Sequence, residues 1–72
     1  MCIFLEVEDE RTPEEEERGI PPCMMRIKVS SIDEARRILI PLLGYFRKPK
    51  AYVHYCFHDE DPTRPCRRVR IY

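Results

Sequence analysis

CMMRIKVSSIDEARRILIPLLGYF, residues 23–46, contains the change of period on which the fold turns. Up to Val29 the chain alternates, with Cys23, Met25, Ile27 and Val29 on one side and Met24, Arg26 and Lys28 on the other. A two-residue period of this kind is a half-buried strand. Beyond Ser31, the apolar residues Ile32, Ala35, Leu39, Leu42 and Phe46 recur at helical spacing, joined by Ile38 and Leu43. This is one amphipathic helix, with Ile40 off its apolar stripe. Ser31-Ile32-Asp33-Glu34 reads as its capping box, and both acids sit where the helix dipole favours negative charge. Pro41 has no N–H for the carbonyl of Arg37 and should kink or split the helix; Arg47 and Lys48 suit its end, and Pro49 stops it.

Three further segments alternate. In residues 1–8, Ile3, Leu5 and Val7 oppose Cys2, Phe4, Glu6 and Glu8; in 51–58, Val53, Tyr55 and Phe57 oppose Tyr52, His54, Cys56 and His58. In 66–72, Val69 and Ile71 oppose Cys66, Arg68, Arg70 and Tyr72. Residues 9–22 are acidic and proline-rich, an acidic loop or a short helical turn near Pro13 to Arg18, started by Thr12-Pro13-Glu14-Glu15 and ended at Gly19. A turn without an apolar face cannot pack as a crossover helix, so the first two strands form an antiparallel hairpin. The order is β-β-α-β-β. The two most apolar strands, the first and third, belong at the centre, and the charged second and fourth at the edges. The sequence therefore predicts one α+β domain over residues 1–72, a four-stranded antiparallel sheet in order 2-1-3-4 with one helix on one face. The other face is open.

Composition narrows the setting. A chain of 72 residues buries only about 60% of the surface that it exposes when unfolded, so its stability margin is thin. There is no Asn, Gln or Trp, arginine outnumbers lysine ten to three, and there are seven prolines. Few thermolabile amides, many charges and stiffened loops indicate a thermophile, an archaeon or its virus. The longest apolar run, Ile38 to Leu43, is far short of the ~20 residues that span a bilayer, and MCIFLEVE has no basic leader region, so a cytoplasmic protein without a membrane role is expected. Net charge is zero but polarised. Residues 1–25 hold eight acids against two bases (−6), and residues 26–72 hold five against eleven (+6).

The open face gathers Phe4, Tyr52 and Tyr72 with Arg26, Lys28, His54, Arg68 and Arg70. Two functions compete for it. A small domain with half its sheet uncovered gains stability by oligomerising, and aromatic anchors suit an interface, so a homodimer or a subunit of a larger assembly is the leading expectation. The alternative is a small RNA- or DNA-binding protein, with rings stacking on bases and cations meeting phosphates. Against it stand a sequence pI of about 6.7, the absence of a nucleic-acid fingerprint, and Glu6 and Glu8, which can pair across the hairpin with Arg26 and Lys28.

Enzymatic activity is not expected. His58-Asp59-Glu60-Asp61 is a charged turn ending at Pro62, and no phosphate loop, nucleophile elbow or zinc-protease motif is present; no catalytic residue or cofactor is assigned. A zinc site is disfavoured as well. There is no Cys-x-x-Cys pair, and His54 and His58 lie ~13 Å apart along a strand, which leaves Cys56, His58 and Cys66, with Asp59 or Asp61, as the weaker alternative. A disulfide between Cys56 and Cys66 is the favoured cysteine chemistry. A hairpin centred on Asp61 sets Val53 opposite Val69, Tyr55 opposite Arg67 and His54 opposite Arg68, and the same register aligns the two thiols.

Overall fold

Alternation becomes sheet and the 3.6-residue period becomes helix in the computed structural model, which describes residues 1–72. The elements are β1 (Cys2–Asp9), α1 (Pro13–Glu17), β2 (Met24–Val29), α2 (Ile32–Leu42), a 3-10 turn (Leu43–Tyr45), β3 (Pro49–Cys56) and β4 (Arg67–Arg70). They form one antiparallel sheet in the order β2-β1-β3-β4, as the sequence predicts. β2 and β3 therefore run parallel on either side of β1, and α2 crosses between them over one face. The core lies between: Leu5 and Val7 from β1, Val29 from β2, Ala51 and Val53 from β3, and Ala35 and Leu39 from α2. Seven buried apolar side chains make a small core, and the body is flat, 41 × 28 × 15 Å.

Local chemistry sets the boundaries. Ser31 caps α2 by accepting from the Glu34 N–H at 3.1 Å. The expected capping box is only half formed, because the Glu34 carboxylate takes the hydroxyl of Ser30 instead of returning to the cap. Pro41 does not end the helix at once. α2 continues to Leu42 and then tightens into the 3-10 turn, so the split falls just after the proline. In α1, Thr12 and Glu15 complete both halves of their box at 3.2 Å each. The short helix is then fastened to the loop before β3. Arg47 reaches Glu15 at 2.9 Å, and the Asp9 carboxylate accepts from the Arg47 and Lys48 N–H groups at 3.2 and 2.8 Å.

Three strand ends differ from expectation. Cys23 lies outside β2 and is exposed, its carbonyl accepting from Asp9 N–H. β3 ends at Cys56, so Phe57 and His58 belong to the following turn, in which the N–H groups of Glu60 and Asp61 both donate to the Phe57 carbonyl. β4 stops at Arg70 because Ile71 and Tyr72 both donate to the single carbonyl of Ala51. Two residues facing one is a bulge, and it breaks the alternation that had placed Tyr72 on the open face. No helix is long and apolar enough to cross a membrane.

Candidate functional site

Register orders the open face into cross-strand rows. From the α1 end, the first row is Met24, Glu8 and Lys50, and the second is Arg26, Glu6, Tyr52 and Arg70. The third is Lys28, Phe4, His54 and Arg68. In the fourth, Cys2 stands directly opposite Cys56. Of the residues expected on this face, seven (Phe4, Arg26, Lys28, Tyr52, His54, Arg68 and Arg70) fall in the two middle rows. Tyr72 is one of the two bulge residues and is 54% exposed, and its carbonyl accepts from Arg70 Nε at 3.1 Å.

Glu6 organises the middle rows. It is only 7% exposed although it points away from the core, because long side chains fold over it. Arg68 Nε donates to it at 2.9 Å, Arg26 pairs with it at 3.5 Å, and His54 Nδ1 lies 3.4 Å away. The same two guanidinium groups cap the aromatic rings, Arg26 over Phe4 at 4.1 Å and Arg68 over Tyr52 at 3.7 Å. Phe4 also meets His54 edge-on at 6.4 Å. Every ring and guanidinium of this set is thus held by another, a network that fixes side chains which would otherwise be mobile. The pairing differs from the simple hairpin expectation. Glu6 takes Arg26 as expected but also reaches across to Arg68, Glu8 turns to Arg68 at 3.9 Å, and Lys28 has no carboxylate partner.

Charge is uneven across the face. The middle rows carry Arg26, Lys28, Arg68 and Arg70 against Glu6 alone. Beyond the Glu8 end stand the exposed acids Glu10, Glu14, Glu16 and Glu17 of the α1 segment. The surface hollows, about 340 and 400 Å³, both border that acidic segment and neither is near the rings.

At the opposite end, the β3–β4 register brings Cys66 across from Cys56, as the pairs Tyr52–Arg70 to Tyr55–Arg67 require. In this structure all four cysteines are thiols. His58 Nδ1 lies 3.3 Å from the sulfurs of both Cys56 and Cys66. The Cys56 thiol is lowered chiefly by the His58 backbone N–H, while burial and the neighbouring Cys56 push the Cys66 thiol up. Sequence reading undervalued Glu6 as a hub and missed Cys2 as the neighbour of Cys56. Both follow from placing β1 between β2 and β3, which was available, but register across β1 and β3 has no short turn to fix it. Compared with known protein families, with curated proteins and with solved structures, the chain shows no match.

Proposed function

We propose that this protein is a non-enzymatic interaction module of the cytoplasm that works as a homodimer through its open sheet face. One observation carries the reading: four cations stand against one carboxylate in the middle rows, and an exposed acidic segment follows the Glu8 end of β1. Such a surface complements a copy of itself. A twofold axis lying in the interface and running across the strands at the Met24, Glu8 and Lys50 row sets the acids of each copy over the cations of the other. Direct superposition of like rows would oppose cation to cation, so charge selects the antiparallel arrangement.

Size sets the strength of such a pairing. Strands of eight, six, eight and four residues at ~3.4 Å each and ~4.8 Å apart give a face of roughly 420 Å². A pair buries at most about 850 Å² in all, which makes the dimer a weak, concentration-dependent one. Phe4 and Tyr52, held under guanidinium planes, supply rigid aromatic and arginine anchors of the kind that dominate binding energy. The composition supports a thermophilic, archaeal source, in which burying an open face raises heat resistance.

A second reading is favoured by one observation, that Lys28 and Arg70 have no carboxylate partner. Single-stranded nucleic acid would meet those cations with phosphates and stack bases on the outer faces of Arg26 and Arg68. Light scattering across a concentration series, with oligonucleotide binding at two salt concentrations, separates the readings. The expected result is a dimer that weakens with salt and with the double change Arg68→Glu and Arg70→Glu, and that regains strength when Glu14, Glu16 and Glu17 are changed to Lys in the same chain. A monomer at every concentration overturns the homodimer. Salt-sensitive oligonucleotide binding by that monomer establishes the second reading, because phosphate contacts release counterions.

A further inference from the structure

We infer that Cys2, Cys56, His58 and Cys66 form a structural zinc site that ties β4 and the β3–β4 turn to the centre of the sheet. Three of the ligands already converge. The sulfurs of Cys56 and Cys66 and a nitrogen of His58 lie within 4.8 Å of one another, and both sulfurs are 3.3 Å from Nδ1. One ring nitrogen has a single in-plane direction in which to donate or accept, so it cannot serve two thiols equally as a hydrogen-bond partner. It can share a common centre with both. Bonds of ~2.3 Å to sulfur and ~2.0–2.1 Å to nitrogen at tetrahedral angles separate S from N by about 3.6 Å and S from S by about 3.8 Å. The present sulfur–nitrogen separations of 3.3 Å need widen only slightly to admit an ion between them.

The fourth ligand comes from β1. Cys2 is the register partner of Cys56, so its side chain leaves the same face of the sheet. Directly opposed residues have Cβ atoms ~4.5–5.5 Å apart, a gap that rotation about one side-chain bond closes to sulfur–sulfur coordination distance. Cys2 is half-buried, lies on the side of Cys56 away from β4, and would join the three converged ligands by that rotation. The set is then Cys3His, a closed tetrahedral donor set of the type that serves structure rather than catalysis. Cys23, exposed near the far end of β1 against Asp9, takes no part.

The location explains what such an ion would do. β4 has four residues in regular pairing, its one apolar residue Val69 is half-buried, and of this edge only Ile71, just past the strand, packs against the core. The turn that leads to it contains Pro62 and Pro65 and is held by Arg64 over Phe57 at 3.9 Å and by the Met1 amino group, which donates to Asp59 and Glu60 at 2.8 Å each. A domain of this size commonly relies on a metal or a covalent link, and this edge carries the shortest strand of the sheet. The site takes the place of the Cys56–Cys66 disulfide. The same register allows both, but only the metal uses His58 and Cys2.

The test uses the whole chain, purified with a non-thiol reductant and loaded with one equivalent of zinc. Alkylation followed by peptide mapping should modify Cys23 alone, and a chelator should expose Cys2, Cys56 and Cys66 together. Cobalt in place of zinc should give the visible bands of a tetrahedral thiolate site. Cys66→Ser should lower zinc affinity by more than the roughly 10–100-fold that loss of an outer-shell partner produces, whereas Cys23→Ser leaves it unchanged. If Cys66→Ser does not fold, the alkylation pattern of the unaltered chain decides. Equal alkylation of all four cysteines in the presence of zinc overturns the site. So does modification of Cys2 while Cys56 and Cys66 are protected, and so does recovery of a linked 56–66 peptide from a chain that takes up no metal after reduction.

Discussion

The guanidinium of Arg68 donates to Glu6 at 2.9 Å while lying over the ring of Tyr52 at 3.7 Å, which joins β4 to β1 across the full width of β3. The contact combines an ion pair with a cation–π stack, so removal of either partner loosens the other. Arg68 is 40% exposed, which screens the pair, and its coupling to Glu6 should be about 1 kcal/mol, the upper end for accessible ion pairs. A double-mutant cycle with Glu6→Gln and Arg68→Met, read by denaturant unfolding, measures it. A coupling indistinguishable from zero would mean that the network is decoration.

α2 is the only cover on the buried face, and Leu39 is its deepest large side chain at 5% exposure. Leu39→Ala should cost roughly 2–3 kcal/mol, toward the low end for leucine deletions, because a layer this thin can collapse partly into the space. Ile40, one residue on, is 71% exposed, and Ile40→Ala should change stability by less than about 0.5 kcal/mol in the monomer. Urea midpoints of the pair check both. Equal effects would place the helix in a different rotation from the one its sequence period dictates.

The legible part of this fold was the part governed by period and capping. Ser31, the spacing from Ile32 to Phe46, and the alternation around Leu5 and Val53 each allow one local structure, and strand order followed from which strands could tolerate an edge. The β3–β4 register was legible because a single turn left one alignment that buried Val53 and Val69 together. Glu6 was harder, since a carboxylate on an uncovered face is expected to be solvated. Its burial depends on Arg26, His54 and Arg68 from three other strands folding inward, and side-chain reach leaves no trace in a two-residue period. Tyr72 was misplaced for a related reason: the bulge at Ala51 is a backbone event with no glycine or proline to announce it.

Asp9 and Glu15 contribute to the protein's acid limb, together with Asp59, lowered by the Met1 amino group, and Asp61, lowered by the Thr63 hydroxyl. Asp9 is held below its ordinary value of 3.8 mainly by the Lys48 and then the Arg47 backbone N–H, and Glu15 below 4.5 mainly by the Arg47 side chain. A depressed carboxylate contributes stability that is complete above its unfolded value and disappears as pH falls through the folded one. Thermal midpoints should therefore hold from neutral pH to about 4.5 and fall below it, as the fastening of α1 is lost. Asp9→Asn should lower the midpoint at pH 7, with the difference from the unaltered chain shrinking in acid. A difference that stays constant from pH 7 to pH 3 would show that Asp9 acts through shape and not charge.

The two glycines should respond in opposite directions to the same change. Gly19 ends the α1 segment at φ +71°, the left-handed region where an L side chain is strained, although nothing lies within 4 Å of an added Cβ. Gly19→Ala therefore meets no clash and carries only the backbone term, about 1–2 kcal/mol. Gly44, in the 3-10 turn after α2, also has open space around it but does not occupy positive φ. Gly44→Ala restricts the unfolded chain without straining the folded one, and should stabilise by ~0.4–1 kcal/mol. Unfolding of the two variants at one pH and one protein concentration gives the comparison. Stabilisation by Gly19→Ala would mean that the acidic segment does not close in the turn that fastens it to Arg47.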